Sequence, residues 1–228
     1  MRWMILVLVT VISGAACSST PAPAARESTG SVAIATADAR RYVVDAQSSD
    51  IELRIYRGGR LASLGHNHVI SIGELAGELF VASKRSETAG ILSFPVAAMR
   101  IDEPARRDAA GPDFASVPST KDITGTRRNM LSERLLDGDR FPIIELAIAS
   151  SHVHGDHSTV TLFVSVKEQT TSIDVPASIT VTDDRVIANG ATTLSQRELG
   201  LTPFSVMLGA LEVKDAIDVQ FTVVAIRQ

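Results

Sequence analysis

The feature that most constrains the fold of this 228-residue chain is an alternation of polar and apolar residues with a period of two. From Asp50 to Tyr56, the apolar residues fall on one face and the charged residues on the other, as in a half-buried β-strand. The same alternation recurs along the chain. Its apolar positions are Ile51, Leu53 and Ile55; Leu75, Leu79 and Val81; Leu92, Phe94 and Val96; Ile144, Leu146 and Ile148; Val160, Leu162, Val164 and Val166; Ile173, Val175, Ile179 and Val181; Val186 and Leu194; and Ile217, Val219, Phe221 and Val223.

These segments predict an all-β domain of about eight strands. The absence of a strand–helix–strand rhythm argues against a parallel sheet. An antiparallel meander protects its edges by closing into a barrel or by stacking as a sandwich, and we favour the barrel. The predicted turns between strands are Gly58-Gly59, His154-Gly155-Asp156, Thr182-Asp183-Asp184 and Lys214-Asp215.

One segment predicts a short helix. Apolar residues between Thr120 and Leu136 have helical spacing, with Ser119 or Asp122 as the N-cap. This helix could cover one mouth of the barrel or simply pack on the core, and the sequence leaves both open. The stretch from Asp102 to Pro118 is polar, contains three prolines and predicts a surface loop.

An eight-stranded barrel is either filled by side chains or holds one small ligand. The alternation places an apolar set of Ile, Leu, Val and Ala inside, with almost no charge. Such an interior suits an elongated apolar molecule. The predicted interior residues are Ile51, Leu53, Leu79, Leu146, Val160, Leu162, Val164 and Phe221.

The N-terminal residues predict export. Arg2, an apolar run from Met4 to Ile12 and the small residues before Cys17 have the order of a secretory signal peptide, residues 1–16. The apolar run is shorter than the ~20 residues of a membrane-spanning helix. Residues 17–40 are rich in Ser, Thr, Ala and Pro and predict a flexible tether, and residues 41–228 form the predicted barrel domain.

Cys17 is the single cysteine of the chain, so neither an intrachain disulfide nor a cysteine zinc site is expected. Its position resembles the lipobox of bacterial lipoproteins, although Gly14 stands where a large aliphatic residue is usual. The resemblance implies acylation of Cys17, anchoring to the membrane on its periplasmic side and, with Ser18 next, sorting to the outer membrane. Plain secretion is the alternative.

Bulk composition excludes one class of partner. A net charge of −4 and an aromatic content of 4% do not suit a nucleic-acid-binding surface, which needs basic residues and stacking platforms.

Four motifs together resemble the YceI-like family of exported polyisoprenoid-binding proteins. They are Tyr42-Val43-Val44-Asp45; Asn67-His68 followed by Gly77 to Phe80; Met130 to Pro142; and Glu198 to Phe204 followed by Val213-Lys214-Asp215. The resemblance implies a lipocalin-like antiparallel barrel, a long apolar tunnel for an isoprenoid chain and no catalytic residues or cofactor. Lys167-Glu168 departs from the family pattern, in which a His-Gly pair is common after the Phe-Pro motif.

The histidines form two groups, which are His66 with His68, and His152, His154 and His157. Imidazoles two residues apart on a strand can share a metal ion. For His66 and His68, contact with a ligand head group and structural hydrogen bonding are further interpretations, and a solvated turn is favoured for the second group.

Other charged or nucleophilic residues have ordinary explanations. The strained G-x-S-x-G elbow of a serine hydrolase is absent. Asp137 and Asp139 are expected in a turn. The pairs Arg106-Arg107 and Arg127-Arg128 could meet lipid phosphates, but a solvated loop or helix face is favoured.

Three functions follow as hypotheses. The first is a membrane-tethered, non-enzymatic binding protein for an isoprenoid or other apolar lipid, with Ile51, Leu53, Leu79, Leu146, Leu162, Phe221 and His68 contacting the ligand. The second is a periplasmic metal-binding protein that uses the histidines. The third is a structural lipoprotein with a filled barrel and no ligand.

Overall fold

The computed structural model describes residues 39–82, 88–154 and 157–228, with the backbone alone for residues 149–154 and 157. Within these residues, twelve strands form one antiparallel sheet. They are β1 (Arg40–Val44), β2 (Asp50–Gly58), β3 (His68–Ser71), β4 (Ala76–Val81), β5 (Ala89–Pro95), β6 (Arg100–Ile101), β7 (Ile143–His154), β8 (His157–Val166), β9 (Gln169–Val181), β10 (Arg185–Ser195), β11 (Ser205–Val206) and β12 (Leu211–Arg227).

Eight of these strands close into a barrel. Their order is β1, β4, β5, β7, β8, β9, β10 and β12, and β12 returns to pair with β1 through Val44 and Ala225. The long β12 also pairs with β2 on the same side, from Thr222 to Glu212. Strands β2, β3 and β6 therefore extend the wall, and β11 pairs with the start of β12. Closure leaves the eight-stranded ring without an open edge, which confirms the predicted antiparallel barrel.

One predicted turn is wrong. Lys214 and Asp215 lie inside β12, at an irregularity in its pairing with β2 between Val213 and Ile217. Asp215 accepts hydrogen bonds from Ser195 Oγ and from the backbone N–H of Arg197. Lys214 and Asp215 therefore lie at a bulge within β12, and Asp215 binds the residues that follow β10.

The predicted helix begins where expected. Helix α2 (Thr120–Leu131) has a capping box, in which Ser119 and Asp122 each accept a backbone N–H from the other. It ends five residues earlier than predicted. The chain then folds back on the helix end, where the N–H of Leu136 donates to the carbonyl of Met130.

The loop predicted from Asp102 to Pro118 contains a second α-helix, α1 (Pro104–Ala110), so the described part of the domain has two α-helices where one short helix was expected. Pro104 occupies the first helical turn, where its missing N–H costs nothing. The one buried residue of α1 is Arg107. Because no apolar stripe marks this helix, hydrophobic periodicity could not reveal it.

The two ends of the barrel differ. We call one end the helical end, and it comprises the loops 59–67, 102–142 and 196–210. Strands β2 and β10 end there, and β12 begins there. Strand β1 enters at the opposite end, where Arg40 pairs with Val81 at the end of β4. No helix within the described ranges is long and apolar enough to cross a bilayer.

Candidate ligand-binding site

The barrel encloses a cavity of about 450 Å³, within the range of small-molecule sites. Most of the residues that line it are aliphatic or aromatic, and the polar exceptions include Arg57, Gln196 and Glu212. Every residue predicted to face the interior lines this cavity, and so does His68. These residues are Ile51, Leu53, Leu79, Leu146, Val160, Leu162, Val164 and Phe221.

The interior is open rather than filled. Several residues of the lining remain half-buried although they point away from bulk solvent, among them Ile51, Leu162 and Phe221. Residues of the packed shell, such as Tyr42 and Val69, are completely buried. Of the two states available to an eight-stranded barrel, this domain therefore has the one with internal space.

A glycine in the wall helps to create this space. Gly190 of β10 pairs directly with Phe221 of β12. A Cβ at position 190 would lie 2.5 Å from the Phe221 ring and 2.4 Å from the carbonyl oxygen of Pro176. Only glycine lets the ring lie against the wall at this position.

Several polar residues border the cavity at the helical end, and we call four of them, which lie close together, the polar mouth. They are His66, just before strand β3, His68 at the start of β3, and Thr126 and Asn129 of α2. The same four residues also line a shallow surface cleft that continues the cavity outward. Helix α2 covers this end and also buries Met130 in the core, so both of its predicted roles are present together.

His68 is fixed by a buried carboxylate. Its Nδ1 lies 2.6 Å from Asp102 Oδ2, and the Asp102 side chain is completely buried. Because a carboxylate only accepts hydrogen bonds, Nδ1 carries the proton. Nε2 then faces the mouth, 3.4 Å from Thr126 Oγ1. In neutral His68 this nitrogen is a hydrogen-bond acceptor beside an apolar cavity.

Asp102 is in turn held by Val69 and Arg107. Its Oδ1 accepts the backbone N–H of Val69 and a guanidinium hydrogen of Arg107. Burial alone would raise the pKa of Asp102, but the hydrogen bonds and charge of His68, with Val69 and Arg107, outweigh burial and hold that pKa below its usual value. The carboxylate is therefore ionised at neutral pH.

The interpretation of Arg107 as a solvated residue is wrong. Its guanidinium is buried and donates to the carbonyl oxygens of Asn67, Phe114 and Ser116 as well as to Asp102. The short helix α1 turns this side chain inward, which a sequence without apolar periodicity does not indicate. Arg127 also bonds the protein, donating to the carbonyl of Met99.

One ring nitrogen of His66, Nδ1, has no hydrogen-bond partner among the described residues. Nδ1 is buried, and Nε2 lies 3.8 Å from the Asp122 carboxylate. The His66 ring stands edge-on to His68, with centroids 6.3 Å apart. His66 and His68 could therefore bind one polar group together.

The metal interpretation gains no support from the described side chains. Within them, no group of three His, Cys, Asp or Glu residues converges. The side chains of His152, His154 and His157 lie outside the described residues. Cys17 and the predicted signal and tether also lie outside the described residues.

One row of side chains has the carboxylate–imidazole–hydroxyl arrangement of serine hydrolases. It runs from Asp102 through His68 to Thr126. The hydroxyl lies 3.4 Å from Nε2, beyond the ~2.6–3.2 Å reach of a general base. Thr126 is in the interior of α2, away from the strained turn that exposes a nucleophile in hydrolases.

The described domain is a closed antiparallel barrel around a largely apolar cavity with a polar mouth, and its fold is YceI-like. Burkholderia cenocepacia BcnA matches it with a TM-score of 0.57 at 11% identity, over 79% of this chain and 98% of that one. The Campylobacter jejuni YceI protein matches with a TM-score of 0.50 at 7% identity, over 70% of this chain and 84% of the other. At these identities the likeness concerns the fold. No family model and no curated protein matches the sequence.

Proposed function

We propose that this protein is a membrane-tethered, periplasmic binding protein for an isoprenoid-type or other apolar lipid, without catalytic activity. The observation that carries this proposal is the open cavity of about 450 Å³ with its apolar lining. Water gains few hydrogen bonds in such a space, whereas an apolar chain fills it with favourable contacts. A structural lipoprotein without a ligand would have no need of this space.

The polar mouth favours a ligand with one small polar end. Nε2 of His68 accepts a hydrogen bond when the ring is neutral and donates one when it is protonated, and Thr126 and Asn129 offer a hydroxyl and an amide beside it. This set suits a hydroxyl or carbonyl group at the end of an apolar chain. The negative charge of Asp102 is balanced by buried Arg107, so the mouth needs no further charge from the ligand.

The tethering part of the proposal depends on residues 1–40. Small residues before Cys17 and a Ser-, Thr-, Ala- and Pro-rich stretch after it support acylation and a flexible link. Acyl chains bind a bilayer with ~0.8 kcal/mol per buried CH₂ group, enough to keep the barrel near a source of lipid.

Native mass spectrometry of protein extracted from its own membranes tests this function. We expect a mass increment close to one lipid per chain, and solvent extraction should yield an apolar compound with one polar end. Protein that carries no lipid, and takes up none when mixed with polyprenols or quinones, would contradict the proposal.

A further inference from the structure

The most exposed apolar side chains are concentrated at one end of the barrel. Within the described residues, the most exposed large hydrophobics are Leu208, Val117, Leu64 and Met207, at 107, 88, 68 and 64% of their full area. All four lie in loops of the helical end. The remaining exposed hydrophobics lie on strands and are less exposed, at 42–48%; they are Ile143, Phe163 and Ile226.

Hydrogen bonds link the loops that carry these residues. The N–H of Leu61 donates to the carbonyl of Ala210, which joins the loop of Leu64 to the turn of Met207 and Leu208. Asn67 Nδ2 donates to the carbonyl of Asp113, which joins the loop of Leu64 to the segment before Val117. Leu64 directly precedes Gly65 and His66, which border the cleft outside the polar mouth. Leu64 therefore adjoins the entrance of the cavity, and the other apolar tips lie on loops bonded to its loop.

The backbone at Met207 and Leu208 is strained. Both residues have left-handed φ values, 53° and 56°, a conformation that is unfavourable for residues with large side chains. The Leu208 side chain at this turn is completely exposed. Two independent costs, strained backbone and apolar exposure, thus fall on the same turn. Such outliers are typical of sites that meet a partner.

We propose that the helical end docks onto a lipid bilayer through Leu64, Val117, Met207 and Leu208, which places the polar mouth at the membrane surface. This inference rests on the proposed lipid-binding function. The four tips stand on separate loops, whereas a peptide needs a continuous groove or an open strand edge. A fluid apolar layer accepts separate tips without a matching shape. Ligand then passes from the bilayer to the cavity without crossing water.

The proposed tether is long enough for this orientation. The chain enters the barrel at the end opposite to the helical end. About 22 residues separate Cys17 from Arg40, and they span at most ~80 Å when extended. The longest strand, β12, has 17 residues, or ~56 Å at ~3.3 Å per residue. An acyl anchor at Cys17 therefore permits the far end of the barrel to reach the same membrane.

Site-specific fluorescence tests the docking in the full chain. A Cys17→Ala background removes the single cysteine, and Leu208→Cys then carries a polarity-sensitive nitrobenzoxadiazole label. With vesicles of phosphatidylcholine and phosphatidylglycerol, we expect a blue-shifted, several-fold brighter emission that spin-labelled acyl chains quench. The control is Phe163→Cys, labelled in the same way on the outer wall of β8, whose emission should not change. Any residual attachment through the leader affects both variants equally.

An unchanged emission at position 208, or equal changes at both positions, would overturn the docking proposal. The lipid content of the same preparations separates this inference from the function on which it rests. Lipid bound to the Leu208→Cys protein together with an unchanged label would refute docking alone. Absence of lipid from the wild-type protein would refute the binding function itself. As a second variant, Met207→Ser with Leu208→Ser should slow uptake of lipid from vesicles several-fold while the final amount bound stays the same.

Discussion

The Asp102 carboxylate holds the His68 imidazole by a 2.6 Å hydrogen bond at the mouth of the barrel. The two residues are 34 positions apart, and Asp102 is itself fixed by Val69 and Arg107. A polar group whose partners are buried and rigid keeps its orientation without a ligand. The mouth is therefore organised before any ligand binds, and several predictions concern this pair and the cavity behind it.

Asp102→Asn should destabilise the domain by about 3–5 kcal/mol, because it leaves the buried Arg107 guanidinium without its counter-charge. Asn tolerates the left-handed φ of 57° at this position, so backbone strain adds little. Urea unfolding followed by circular dichroism measures the effect. The matched control is Asp137→Asn, also at a left-handed residue, whose partner Arg140 is exposed; its cost should be about 1 kcal/mol or less. Equal losses in the two variants would contradict this assignment.

Acid should weaken the same interaction. The folded-state pKa of Asp102 lies below its usual value, so its stabilising contribution is complete above the unfolded pKa of ~3.9 and is lost as the pH falls through the folded pKa. The stability difference between wild type and Asp102→Asn should therefore narrow from pH 5 to pH 3. A difference that widens over this range would show that the carboxylate is not the stabilised form.

Two glycine substitutions should have opposite effects. Gly190→Ala places a methyl group against the Phe221 ring and the carbonyl of Pro176, and overpacking of this kind costs about 1–3 kcal/mol. Gly125→Ala in α2 meets no neighbour within 4 Å and should stabilise the helix by about 0.5–1 kcal/mol. Thermal melting of both variants checks the contrast. A neutral Gly190→Ala would mean that Phe221 does not lie against the wall as described.

The barrel could be predicted from the sequence because its signal is local. In Val160 to Val166, alternate residues face the cavity and the intervening residues face outward. The pattern within these seven residues is therefore enough to predict the strand and its apolar face. A barrel then follows from edge protection. Whether the interior is open could not be predicted in this way, because it depends on how residues such as Gly190 and Phe221 meet across strands.

The polar mouth was only partly predictable. His68 stood out beside Asn67, but its partner Asp102 lay in a stretch predicted to be a solvated loop. The pairing depends on α1 and on buried Arg107, a charged residue whose burial no hydropathy pattern indicates. Thr126 and Asn129 were missed because polar residues on a helix usually face solvent. Their position three residues apart, on one face of the predicted lid helix, was the one available signal.

Cys17→Ala should abolish acylation and the anchoring that depends on the acyl chains. Because acylation needs the cysteine sulfur, the variant should accumulate as an unprocessed precursor or as a soluble form. Membrane fractionation and mass analysis of the N-terminus measure the outcome, and Ser18→Ala serves as the neighbouring control. A Cys17→Ala protein that is cleaved and still fractionates with membranes like wild type would show that another element is the anchor.

The most direct test of the central claim compares Leu162→Trp with Phe163→Trp. The two residues are adjacent in β8, and Leu162 faces the cavity whereas Phe163 faces outward. If residue 162 borders an open cavity that holds lipid, Leu162→Trp should keep a near-normal melting temperature and lose its bound lipid, while Phe163→Trp keeps both. If the interior were packed, the larger side chain would cost about 1–3 kcal/mol and lower the melting temperature by several degrees. That loss of stability, together with a wild-type protein that carries no lipid, would contradict the account.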